Sequence, residues 1–169
     1  MPGGKQPSGQ PDWNIGYTTR QHLCLDLDDT TFFHASRLVQ MVMQQYPEVG
    51  NALLLCSSRP KYAEKWVYPP GKNMYIKRRR HNFHAVFNNF IGYEACCQII
   101  ANLAHLGVLN EQYIKIREMR NDMTIRTSST ANVDGVKPKP YIVDFVYNYR
   151  SRENGNGIRL FMALLKASR

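Results

Sequence analysis

The chain has 169 residues, 43% of them hydrophobic, with ten Tyr and seven Phe, which suits one domain with a sizeable core. Its 22 Lys and Arg against 13 Asp and Glu give a net charge of +9, which favours a polyanionic partner, nucleic acid before acidic membrane. No apolar run reaches the roughly 18 residues of a membrane-spanning helix, and the opening MPGGKQPSGQPD lacks the apolar centre of a signal peptide.

In chain order, residues 1–16 read as a flexible arm and 17–169 as a single domain. QHLCLDL predicts a first strand. ASRLVQMVMQQYP follows with Leu38, Val39, Val42 and Tyr46 at the spacing of a helix with one buried face, and Pro47 and Gly50 end it. NALLLCSS is a short continuous apolar run, the pattern of a strand buried on both faces. Residues 59–80 are polar, broken by proline and heavily cationic, and read as a long basic loop inserted between strands. In it Tyr62, Trp66, Tyr68 and Tyr75 interleave with Lys61, Lys65, Lys72 and Lys77, a mixture that suits single-stranded nucleic acid, or that packs the loop onto the domain.

HNFHAVFN predicts the next strand. GYEACCQIIANLAHLG predicts a second helix that buries Cys96, Ile99, Ile100 and Leu103, with Gly107 placed to stop it. QYIKIREMRNDMTIRTSS suggests two strands joined by a turn at Asn121 and Asp122, PYIVDFVYNYR another strand, SRENGNG a flexible loop and GIRLFMALLKA a final helix. Cys24 and Cys56 fall in strand patterns and Cys96 and Cys97 are adjacent, so no disulfide or metal spacing appears, and a reducing, cytoplasmic setting is expected. The order of elements predicts an α+β fold, an RRM-like or ferredoxin-like sheet with helices packed mainly on one face.

Strand alternation puts Asp26 and Asp28 of LCLDLDDTTF on one side of the first strand, about 7 Å apart, where two carboxylates converge on divalent cations. The competing reading is that they cap a strand end, or a helix that starts near Ala35. His84 follows the cationic run Lys77, Arg78, Arg79 and Arg80, so a phosphate-bearing ligand across the sheet would meet both charge and imidazole. His81, an odd number of residues away, falls on the other side of that strand. Arg117, Arg120 and Arg126 form a second cationic cluster. Of these, Arg126 alternates with Thr124 and Ser128, and an inward arginine there would need an anionic partner.

With these residues in order, the chain resembles a divergent member of the archaeo-eukaryotic primase superfamily, the primase-polymerases, over about Leu23 to Ser129. LDLDD supplies the family's acid-x-acid motif at Asp26 and Asp28, Ser57 or Ser58 with His84 looks like a split serine-histidine motif, and MTIRTS is similar to its arginine strand. The resemblance implies a metal-dependent nucleotidyltransferase, with Asp26, Asp28 and His84 catalytic and Asp26 and Asp28 holding Mg2+ or Mn2+. Ser57, Ser58, His84 and Arg126 would bind the nucleotide, and Lys77, Arg78, Arg79, Arg80, Arg117 and Arg120 the nucleic acid. It further implies a DNA template, single-stranded where it is read, nucleoside triphosphates, replication-protein partners, no membrane, and a place in a mobile element.

Two departures from the family's pattern stand out. The basic loop separates the serines from His84, and Asn110 occupies the position of the third acid, with Glu111 beside it and Asp144 much later. DLDDT also satisfies the D-x-D-x-T motif of haloacid dehalogenase phosphatases, with Asp26 as nucleophile, Ser57 on phosphate and Lys137 or Lys139 as the lysine. That family requires a late acidic pair, which the C-terminal stretch does not provide, and a parallel doubly wound sheet. A third reading is a non-catalytic module that binds single-stranded nucleic acid on the same sheet.

Overall fold

A computed structural model describes residues 16–58, 80–109, 114–115, 118–119, 121–132, 135–150 and 156–168. Strand β1 (Gly16–Thr19) is short and leads through Arg20 to Leu23 into β2 (Cys24–Thr31). Helix α1 (Phe32–Gln45) starts directly on the end of β2, because Thr31 stays extended and its Oγ1 accepts a hydrogen bond from His34 N at 3.2 Å. The capping position therefore belongs to Thr31, the helix begins three residues before the expected Ala35, and neither Asp26 nor Asp28 serves as the cap. The helix buries Phe32, Ala35, Val39, Val42 and Met43 along one stripe and gives way to a single 3-10 turn at Pro47–Val49.

Strand β3 (Ala52–Cys56) is buried along its whole length, as its continuous apolar run predicts, and β4 (Arg80–Phe87) returns beside it. The two are antiparallel and flank residues 59–79, so the ends of the inserted basic segment lie side by side, with Ser57 N bonded to Asn82 O at 2.8 Å. Helix α2 (Tyr93–His105) buries Cys96, Ile99, Ile100 and Leu103, the four residues its spacing singles out, and Gly107 follows in the left-handed region at φ 70°.

Beyond α2 the expectation and the structure part. Ile114–Lys115 and Glu118–Met119 are helical where a strand was expected, and only the second half of that stretch becomes β5 (Met123–Arg126), after a left-handed Asn121. A short period-two pattern forms a strand only where a neighbouring edge offers hydrogen bonds, and Met119, 86% exposed, has no such packing. The edge that β5 does find is β1, through the register Tyr17↔Ile125. A small hairpin of β6 (Thr130–Asn132) and β7 (Gly135–Lys137) and then β8 (Tyr141–Val146) follow, and α3 (Gly157–Ala167) closes the fold.

Among the described residues every strand pairing is antiparallel. The main sheet has the order β2-β4-β3-β8, so β2 and β3, linked by α1, run the same way with β4 inserted between them. This split β-α-β core makes the domain α+β, as expected. Its fourth strand lies outside β3, whereas a ferredoxin-like order would put one on the free edge of β2; β5 packs near that edge but bonds to β1. Helix α3 docks on β4, with Phe161 edge-on to Tyr17 at 5.7 Å. Its first residue must be small: a Cβ on Gly157 would stand 2.8 Å from Phe87 O and 2.9 Å from His22 Cδ2.

Candidate functional site

Directly opposed residues of antiparallel neighbours share a face of the sheet, and the register sets Asp26 opposite His84 and His84 opposite Leu55. Asp26 and His84 are distant in sequence, and pairing of β2 with β4 is what joins them. His84 Nδ1 lies 3.0 Å from Asp26 Oδ1, with the imidazole 9% and the carboxylate 30% exposed. The contact is close but does not form a hydrogen bond, and His84 Nε2 is buried with no hydrogen-bond partner among the described residues. Such an orphan is uncommon, because a buried polar atom without a partner costs about 1–3 kcal/mol.

The alternation that would project Asp28 beside Asp26 does not run undisturbed. Between Leu27 and Thr30 the register slips by one residue, and Asp29 takes the left-handed conformation at φ 46°. Asn82 Oδ1 braces this bulge by accepting from Asp29 N at 2.9 Å. Asp28 stands exposed on the bulge, two residues from a half-buried Asp26. The equal pair expected from strand geometry is thus one sheltered and one solvated carboxylate.

Arg126 arrives from β5, which packs near β2, and reaches across to Ser57 O at 2.8 Å. It also donates to Pro138 O at 2.7 Å and to Ser128 O. Its guanidinium thereby ties three chain segments together over the strands that carry Asp26 and His84. Burial lowers its pKa, while the negative charge of Asp26 works the other way, so the two groups lie within electrostatic reach. The anionic partner expected for an inward arginine is partly supplied by three backbone carbonyls.

Ser57 and Ser58 occupy the same end of the sheet. Ser57 Oγ donates to Asn82 O at 3.2 Å, Ser58 Oγ accepts from Asn82 N at 2.9 Å and lies 3.5 Å from His81 Nδ1. Asn82 connects both serines to the Asp29 bulge, a role that sequence reading missed; the only hint was a polar residue between the two histidines of HNFH. Arg80 is exposed and 3.3 Å from Asp29 Oδ2. Asp144 lies on β8, separated from β2 by β4 and β3, and accepts from Phe145 N, so it does not join Asp26. Lys77, Arg78, Arg79, Asn110, Glu111, Arg117 and Arg120 lie outside the described residues.

Among the described residues no three of His, Cys, Asp and Glu gather as a metal-binding group. Mg2+ keeps several waters and is held by one or two carboxylates plus substrate phosphates, a donor chemistry that Asp26 and Asp28 would supply. It does not fit a closed site built from protein ligands alone. Cys24, Cys56 and Cys96 are buried, Cys97 is partly buried, none is in a disulfide, and burial raises the Cys24 pKa.

Fold and site together define an α+β domain on a split β-α-β sheet, with a histidine-carboxylate pair and an arginine clamp at one end of it. In comparisons with known proteins, no family model, no curated protein and no solved structure matches the chain. No helix among the described residues is long and apolar enough to cross a membrane.

Proposed function

We propose that the chain is a primase-polymerase-like nucleotidyltransferase that acts on nucleic acid in DNA replication, in a reducing cytoplasm and in the service of a mobile element. The observation that carries this reading is the buried, unpartnered Nε2 of His84 beside Asp26. With Nδ1 facing the Asp26 carboxylate, an Nε2–H would be a buried donor with no protein partner of its own. A phosphate oxygen of a nucleoside triphosphate satisfies that donor. Asp26 and Asp28 would hold Mg2+ or Mn2+, which when bound offsets charge on the triphosphate and on the reacting oxygens. Asp26 thus serves as metal ligand and orients His84; Arg126 holds Ser57 and β5 in place over the same strands and adds positive potential.

The basic segments before β4 and β5 would carry the DNA template, and replication proteins would complete the assembly. The all-antiparallel pairing supports this reading over the phosphatase, whose chemistry belongs to a parallel doubly wound sheet. The test is metal-dependent triphosphate binding and primer synthesis or extension by the purified chain. Asp26→Ala and Asp28→Ala should each lower extension at least about a hundredfold with an unchanged circular dichroism spectrum. Retained extension in both variants would exclude the mechanism. Salt-sensitive DNA binding with no extension in the parent would leave the non-catalytic binding module in its place.

A further inference from the structure

Strand β8 is the outer strand of the main sheet, and the turn after it displays aromatic rings at unusual exposure. Tyr147 is 62% and Tyr149 97% exposed, and Phe145 packs edge-on to Tyr147 with centroids 4.7 Å apart. The backbone beneath them is held firmly. Asn148 N donates to Asn51 Oδ1 at 2.8 Å, its Nδ2 reaches Pro47 O and Gly50 O, and its Oδ1 accepts from Arg150 N at 3.1 Å. These bonds orient the turn without burying either tyrosine, so fold stability gives no reason for two exposed rings.

The turn forms one wall of a cleft of about 270 Å³, and Gln40, Met43 and Gln44 of α1 form the other. That volume lies just under the range of about 300–1,000 Å³ typical of drug-sized ligands and suits a single planar ring system. The wall chemistry is specific: phenol rings to stack, carboxamides that both donate and accept, the guanidinium of Arg150, and no carboxylate among the lining residues. An apolar protein surface would leave those amides without partners, whereas a nucleobase offers a π-face and a polar edge together. The net charge of +9 draws the same kind of strand to this face.

We propose that this cleft binds an unpaired base of single-stranded nucleic acid, with Tyr147 and Tyr149 stacking, Gln40 and Gln44 meeting the base edge, and Arg150 meeting the adjoining phosphate. The site is separate from the Asp26–His84 pair. Three strand spacings across the sheet and about five residues along it lie between them, roughly 20 Å in all. A strand held here would run on toward, or away from, the histidine end over a few nucleotides.

The full chain is titrated with a fluorescein-labelled oligo(dT) of about 12 nucleotides, and affinity is read by anisotropy over a range of salt. The double variant Tyr147→Ala with Tyr149→Ala should bind about tenfold more weakly or worse with an unchanged salt slope, and the Phe pair should bind like the parent. Arg150→Gln should lower the salt slope by about one. An oligonucleotide of abasic sites should bind the parent and the Ala pair equally. Parental affinity in the Ala pair, or an equal loss on the abasic strand, would overturn the proposal. So would unchanged affinity with altered sedimentation, which would make the surface a contact between copies.

Discussion

The two ends of the main sheet are built on opposite plans. At the Asp26–His84 end the polar groups point inward: a half-buried carboxylate, a buried imidazole, and an arginine turned onto three carbonyls. At the other end the polar groups seal the backbone, through Asn51, Asn148 and Asn89, and the aromatic rings of the turn after β8 face solvent. Inward polarity leaves an unsatisfied atom, and outward aromatics leave uncovered area. Each end therefore offers a ligand what its own fold withholds, charge in one case and a stacking surface in the other.

The sharpest way to strain that contrast is pH, because the end away from Asp26 contains a fully buried histidine. His22 lies against Tyr17, Thr19 and the start of α3, and burial lowers its pKa from 6.5 to about 4. Between those values the unfolded chain binds a proton that the folded chain does not, so stability rises with pH through this window and is lost as pH falls. Urea unfolding should show about 3 kcal/mol lost from this group between neutrality and pH 4, and His22→Leu should flatten the slope. An unchanged slope in that variant would assign the acid sensitivity elsewhere.

The remaining predictions concern the Asp26 end and are smaller. Thr31→Ala should remove the α1 cap and lower stability by about 1 kcal/mol, with Thr31→Ser recovering most of it, as read from denaturant midpoints. A null result would mean that packing of Phe32 alone starts the helix. Arg80→Ala, which breaks a pair whose side chains are 67% and 75% exposed, should shift stability by less than about 0.5 kcal/mol. A larger loss would show that the Asp29 bulge depends on that ion pair more than on Asn82.

Much of the architecture was legible in the letters. The stripe Cys96, Ile99, Ile100 and Leu103 and the continuous run of β3 are local periodicities that burial then followed. The aspartates and His84 were legible as candidates, since acids after an apolar strand and a histidine after four cations are chemically conspicuous. Asn82 was not, because a single asparagine in a strand carries no periodic signal. Nor were β1 and the helical fate of Ile114–Lys115, which depended on which edges were available for pairing.

By itself the sequence determined the class of the fold, the buried stripes of two helices, a cationic chain and a short list of reactive side chains. All of these depend on neighbours a few residues apart, whose geometry is set by the period of the backbone. Tertiary structure decided the rest. The opposition of Asp26 and His84 needed the register of β2 with β4, the split between sheltered Asp26 and solvated Asp28 needed the Asp29 bulge, and the cleft at Tyr147 needed α1 beside the turn after β8. Register, bulge and cleft arise from hydrogen bonds and packing between distant segments, which local periodicity does not encode.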